Sequence, residues 1–143
     1  TPIVLSVNAK LIKKTKTNLT NKQHFDLISK SDFLLTAPGA DMPLCHHFIE
    51  AIKMKSIPIS NYAHLHKPQV PQNDYLKFSD FNSLNESIIN AMNMPSEQVL
   101  NIQNDLESFY NDKLSPASFL RKFENRNNNE IIACNDVESL QWL

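Results

Sequence analysis

Residues 32–59 read DFLLTAPGADMPLCHHFIEAIKMKSIPI, and three patterns follow one another within them. Phe33, Leu34 and Leu35, continued by Thr36 and Ala37, form a short unbroken apolar run that Pro38 and Gly39 stop, as suits a strand covered on both faces. Pro43 fits the first position of a helix, where its missing N–H costs nothing. The segment from Leu44 to Lys55 then carries Leu44, Phe48, Ile49 and Ile52 on one face. Ile57, Pro58 and Ile59 make a second short strand. Strand, turn, helix and strand compose one β–α–β unit, which calls for parallel strands.

The flanking sequence repeats the theme. Ile3 to Val7 reads as a buried strand, and the stretch with Lys10, Lys13, Lys14 and Lys16 has no apolar period and reads as a loop. Thr20 with Gln23 is a capping box, and Phe25, Leu27 and Ile28 supply a short helix ending near Lys30 and Ser31. Beyond Ile59, Pro68 and Pro71 predict irregular chain from Asn61 to Asp74, before a last strand at Leu76 to Phe78. Ser83 with Glu86 predicts a second capping box ahead of Leu84, with Ile88, Ile89 and Met92 as core. Ser96 restarts a helix carrying Val99, Ile102, Leu106 and Phe109, and Ser115 with Pro116 caps one carrying Phe119, Leu120 and Phe123. The expected architecture is α/β: a small three-layer Rossmann-like domain over residues 1–124, with a mainly parallel sheet and C-terminal helices. The Asn-rich residues 125–143 are expected to be linker and tail.

Composition narrows the function. The chain has 143 residues, 41% hydrophobic and 20% charged, enough for one domain with a core. A formal net charge of -1 gives no field that would gather nucleic acid. No apolar run is long enough to span a bilayer. Two cysteines, Cys45 and Cys134, do not make a disulfide framework, and a reducing cytoplasmic setting is expected. The single glycine, Gly39, excludes a glycine-rich phosphate loop. A start at Thr1 that runs straight into an apolar strand predicts a piece of a longer protein.

Ligands of parallel α/β sheets sit at the carboxyl ends of the strands. The loops of interest are therefore Asn8 to Leu19, Pro38 to Met42 and Asn61 to Asp74. On a helix beginning at Pro43, His46, His47 and Glu50 share the polar face. Imidazoles beside free N-terminal amides suit a phosphate, and a carboxylate further along can accept from two vicinal sugar hydroxyls. That combination describes a nucleotide diphosphate. Asn61 and Tyr62 follow the Ile57 strand, where Tyr62 is placed either to pack on such a ligand or to anchor the loop.

The segment Ser31 to Gly39, then His47-Phe48-Ile49-Glu50-Ala51, then Ser56-Ile57-Pro58-Ile59, resembles the donor-binding half of GT-B glycosyltransferases, most closely the exostosin-like family. The likeness covers about residues 31–59. It implies that Glu50 binds the ribose hydroxyls of a UDP- or GDP-linked sugar. Gly39, Ala40, Asp41, Met42 and the helix start with His46 and His47 would face the pyrophosphate and sugar. It further implies that donor binding needs no metal or other cofactor and that the catalytic residues and glycan-acceptor site lie in a preceding N-terminal domain. This segment alone would then be inactive, and the full enzyme can sit peripherally at a membrane in polysaccharide synthesis. Two positions depart from the pattern. His47 stands where the family usually has Arg, and Lys55 where a Gly usually precedes the strand, which predicts a different turn there.

Other readings stand beside these. Glu50 also fits a solvated helix-face acid, and the whole chain a non-catalytic α/β interaction or regulatory module. Cys45, His46, His47, Glu50, His64 and His66 carry zinc-ligating chemistry, but adjacent residues of one helix cannot all point to one ion, so no metal site is expected.

Overall fold

The computed structural model describes residues 3–5, 19–38, 46–66 and 68–124, with the side chains of 3–5 and 122–124 excepted. The strands are β1 (Ile3–Leu5), β2 (Phe33–Thr36), β3 (Ile57–Ser60) and β4 (Leu76–Lys77). The helices are α1 (Asn21–Ser29), α2 (His47–Lys53), α3 (Phe81–Asn93), α4 (Ser96–Phe109) and α5 (Pro116–Glu124). The sheet runs β1-β2-β3-β4, and each neighbouring pair is parallel, with Phe33 opposite Ile3 and Ile57, and Ile59 opposite Leu76. The fold is mixed α/β around a small parallel sheet, parallel throughout its described strands rather than only mainly so. The strand expected to reach Val7 is described to Leu5, and residues 125–143 lie outside the described residues.

Both faces of the central strands are buried. Consecutive strand side chains point to opposite faces. Leu34 packs with Ile28 and Ala51, whereas Phe33 joins Ile57, Ile59, Phe48, Ile52 and the α4 residues Ile102 and Leu106. Pro58 in the middle of β3 is tolerated for a topological reason. The Ile57 N–H donates to Asp32 and the Ser60 carbonyl accepts from Phe78, so the backbone of residue 58 faces β4. Strand β4 begins opposite Ile59, and the N–H that proline lacks would have had no ladder partner.

Local signals explain most element ends. Thr20 caps α1 through the expected box with Gln23. Ser115 caps α5, accepting from the Ser118 amide at 3.1 Å with Pro116 in the first helical position. In α4, Val99, Ile102 and Leu106 face the core, as their spacing predicts. The stretch from Asn61 to Asp74 holds two short 3-10 turns, Ala63–Leu65 and Gln72–Asp74.

Four expectations are corrected. Helix α2 ends at Lys53, not Lys55; it is described from His47, with the Glu50 amide donating to the His46 carbonyl at 2.9 Å, and the expected start at Pro43 lies outside the described residues. The cap of α3 is Asp80, three residues before the expected Ser83. Ser83 is its reciprocal partner, its amide donating to the Asp80 carboxylate at 2.8 Å while its hydroxyl accepts from the Asp80 amide at 3.0 Å. The buried face of α3 is Ser87 and Ala91, drawn against β4 by the Ser87 hydroxyl donating to the Lys77 carbonyl, which turns Ile89 and Met92 outward.

The fourth concerns Lys55. Its φ is 59°, the left-handed conformation that glycine favours. The Lys55 amide donates to Ile52 and the Ser56 amide to Ala51 at 2.9 Å, the paired bonds of a Schellman cap. The turn is thus of the glycine kind with lysine in it, not a different turn.

Candidate functional site

In a β–α–β unit the helix returns antiparallel to the strands, so its N-terminus lies at the carboxyl edge of the sheet. Helices α1 and α2 are successive crossovers in one parallel sheet, and their first turns therefore lie at the same edge. There a cleft of about 450 Å³ is lined by Leu19, Asn21, His24 and Phe25 from one side and His46, His47 and Glu50 from the other. This is the edge at which α/β sheets take ligands.

Glu50 is at the centre of the polar groups. Its Oε2 lies 3.3 Å from His24 Nε2, and its Oε1 lies 3.9 Å from His46 Nε2. The rings of His46 and His47 meet edge to face with centroids 4.5 Å apart, and His24 and His47 lie 5.7 Å apart. Side-chain exposure falls from 75% at His46 to 26% at His24 and 20% at Glu50, so the carboxylate is the sheltered member. Burial pushes the His47 pKa below its ordinary value, the charges of His46 and His24 add to that, and Glu50 opposes it. One ligand atom each from His24, His47 and Glu50 falls within 4.8 Å of the other two.

The expected site residues divide into three groups. His46, His47 and Glu50 come together. Gly39, Ala40, Asp41 and Met42 lie outside the described residues. Asn61 and Tyr62 are not among the residues lining the cleft. Tyr62 is buried in the core beside Phe48 and His66, where it anchors the loop. At the start of α2, His46 is the cap residue and its side chain makes no capping hydrogen bond, so the first-turn amides and the imidazoles of His46 and His47 lie on the same end of the helix.

His24 is the member that sequence reading missed. Its signal was present, because the Thr20 capping box puts residue 24 in the first turn of α1, the position equivalent to Glu50 in α2. Of the six residues weighed as zinc ligands, His64 is exposed in the loop and His66 is stacked on Phe48 with ring centroids 4.4 Å apart. Comparison with known proteins finds no matching family model, no matching curated protein and no matching solved structure. Among the described residues, no helix is long and apolar enough to cross a membrane.

Proposed function

We propose that this chain is the donor-binding part of a nucleotide-sugar glycosyltransferase of GT-B type, working with an acceptor-binding domain elsewhere in a longer cytoplasmic enzyme that builds a surface glycan. The observation that carries the reading is the sheltered Glu50 carboxylate, flanked by His46 and His47, in a cleft at the carboxyl edge of a parallel sheet. In this reading Glu50 accepts from the two ribose hydroxyls, and the imidazoles donate to the diphosphate. As the glycosidic bond breaks, negative charge develops on the leaving diphosphate. Donors already aimed at that charge lower the barrier without reorganising.

The test is calorimetric titration of the 143-residue chain with UDP, GDP and CDP in chelator. One nucleotide is expected to bind, with affinity lost in Glu50→Ala. Affinity is also expected to rise as the solution is taken below the ordinary histidine range, since His47 gains its charge only there. Unchanged affinity in Glu50→Ala refutes the assignment of the ribose contact.

One observation favours the alternative of a non-catalytic module: the Glu50 carboxylate already has a partner in His24 at 3.3 Å, which gives it a structural role between α1 and α2 without any ligand. Under that reading all three nucleotides are silent in a folded sample, and the coding sequence upstream carries no second Rossmann-like pattern.

A further inference from the structure

We propose that His24, His47 and Glu50 form a three-ligand site for a divalent zinc-type cation, with the remaining coordination position open to the cleft. The inference does not rest on the nucleotide reading. It needs His24, which that reading leaves unused, and a cation and a ribose would contend for the same Glu50 carboxylate.

Donor chemistry comes first. Two imidazoles and one carboxylate are borderline nitrogen and hard oxygen ligands, the set that suits zinc and its first-row neighbours better than calcium or magnesium. Three protein ligands with one position free is the composition of open, ligand-exchanging zinc sites. A site on one helix was dismissed because adjacent residues cannot converge. Here the donors come from two helices, His24 from α1 and the pair His47 and Glu50 from α2.

Geometry agrees. With zinc–ligand bonds of about 2.0–2.2 Å, the edge of a ligand tetrahedron is about 3.3–3.6 Å. His24 Nε2 and Glu50 Oε2 are already 3.3 Å apart, and all three ligand atoms lie within 4.8 Å of one another. Binding requires any edge longer than the tetrahedral one, up to 4.8 Å, to shorten, and His24 and His47 are only partly buried and line the cleft. His46, 3.9 Å from the other Glu50 oxygen, is placed to orient the carboxylate from outside, as partners of metal-binding groups commonly do.

The test uses the full chain stripped of metal, titrated with Zn²⁺ by calorimetry and with Co²⁺ by visible absorption. One equivalent of Zn²⁺ is expected, with Co²⁺ d–d bands of the intensity that four- or five-coordinate sites give and the octahedral aqua ion does not. His24→Ala and Glu50→Gln are each expected to weaken Zn²⁺ by at least about tenfold, with unchanged circular dichroism, whereas His64→Ala leaves it unaltered. Absence of binding, an octahedral Co²⁺ spectrum, or full affinity in folded His24→Ala overturns the proposal. So does binding that disappears with Cys45→Ser and Cys134→Ser, which would assign the metal to thiolates. Should His24→Ala fail to fold, Glu50→Gln and the wild-type Co²⁺ spectrum still decide. Nucleotide titration in chelator is read separately, so loss of the metal site and loss of the nucleotide site are distinguishable.

Discussion

His24 and Glu50, 26 residues apart in the chain, bring Nε2 and Oε2 to 3.3 Å across the gap between α1 and α2. The contact joins two crossovers that also meet through the His24 and His47 rings and through Lys53 Nζ over the Phe25 ring, while Ile28 and Ala51 pack with Leu34 of the sheet. Its strength is measurable by a double-mutant cycle in urea. His24→Ala, Glu50→Ala and the pair are expected to give a coupling energy of about 1 kcal/mol, the net worth of a partly sheltered hydrogen bond. Additive single effects would make the two side chains mere neighbours.

What was legible in the sequence follows from how local each signal is. The strands around Phe33 and Ile57, the Thr20 cap and the Val99-Ile102-Leu106 face are set by residues within one turn or one strand of each other, and the structure has them. The outward turn of Ile89 and Met92 was not legible, because it depends on the Ser87 hydroxyl reaching the Lys77 carbonyl in another element. His24 likewise joins the site only when two helices are laid side by side. Periodicity says which residues of one element share a face, not which faces meet.

Lys55 holds a left-handed backbone that costs a residue with a Cβ about 1–2 kcal/mol. Part of that is returned by its ammonium, 2.7 Å from Glu107 on α4, where both side chains are nearly half exposed. Such pairs contribute about 0.2–1 kcal/mol and weaken in salt. Lys55→Gly is therefore expected to raise the stability by roughly 0.5–1 kcal/mol in 1 M salt, and by less in dilute buffer, as read by denaturant midpoints. A lower midpoint in high salt would show that the lysine stem contributes packing that outweighs the backbone strain.

His66 lies against Phe48, the ring planes 11° from parallel, and its Nε2 has no hydrogen-bond partner among the described residues. Burial pushes its pKa down from 6.5 to about 4. The folded state therefore holds fewer protons on this ring than the unfolded chain between those two values. The stability tied to the neutral ring is complete above pH 6.5 and is lost as pH falls toward 4. His66→Phe keeps the stack and removes the proton. It is expected to match or exceed wild type at neutral pH and to lose of order 1–2 kcal/mol less on acidification, allowing for solvent at a half-buried ring. Parallel pH–stability curves for the two proteins would assign the acid sensitivity to other groups.

Asp74 is the buried acid of the loop before β4, 7% exposed at the end of the Gln72–Asp74 turn. Burial raises its pKa above the ordinary 3.8, and the charge of Asp105 on α4 pushes the same way. A carboxyl whose folded pKa is raised favours folding while protonated, and that contribution fades as pH rises through the folded value. At neutral pH the ionised group thus works against the fold. Asp74→Asn removes the charge with little change of shape and is expected to stabilise the protein by of order 1 kcal/mol at pH 7, with the gain shrinking to nothing below the ordinary carboxyl range. Asp105→Asn, which takes away only the repulsion, should give a smaller gain with the same pH dependence. If Asp74→Asn destabilises at pH 7, the carboxylate must be accepting hydrogen bonds that outweigh its desolvation, and the loop before β4 would be held by that charge.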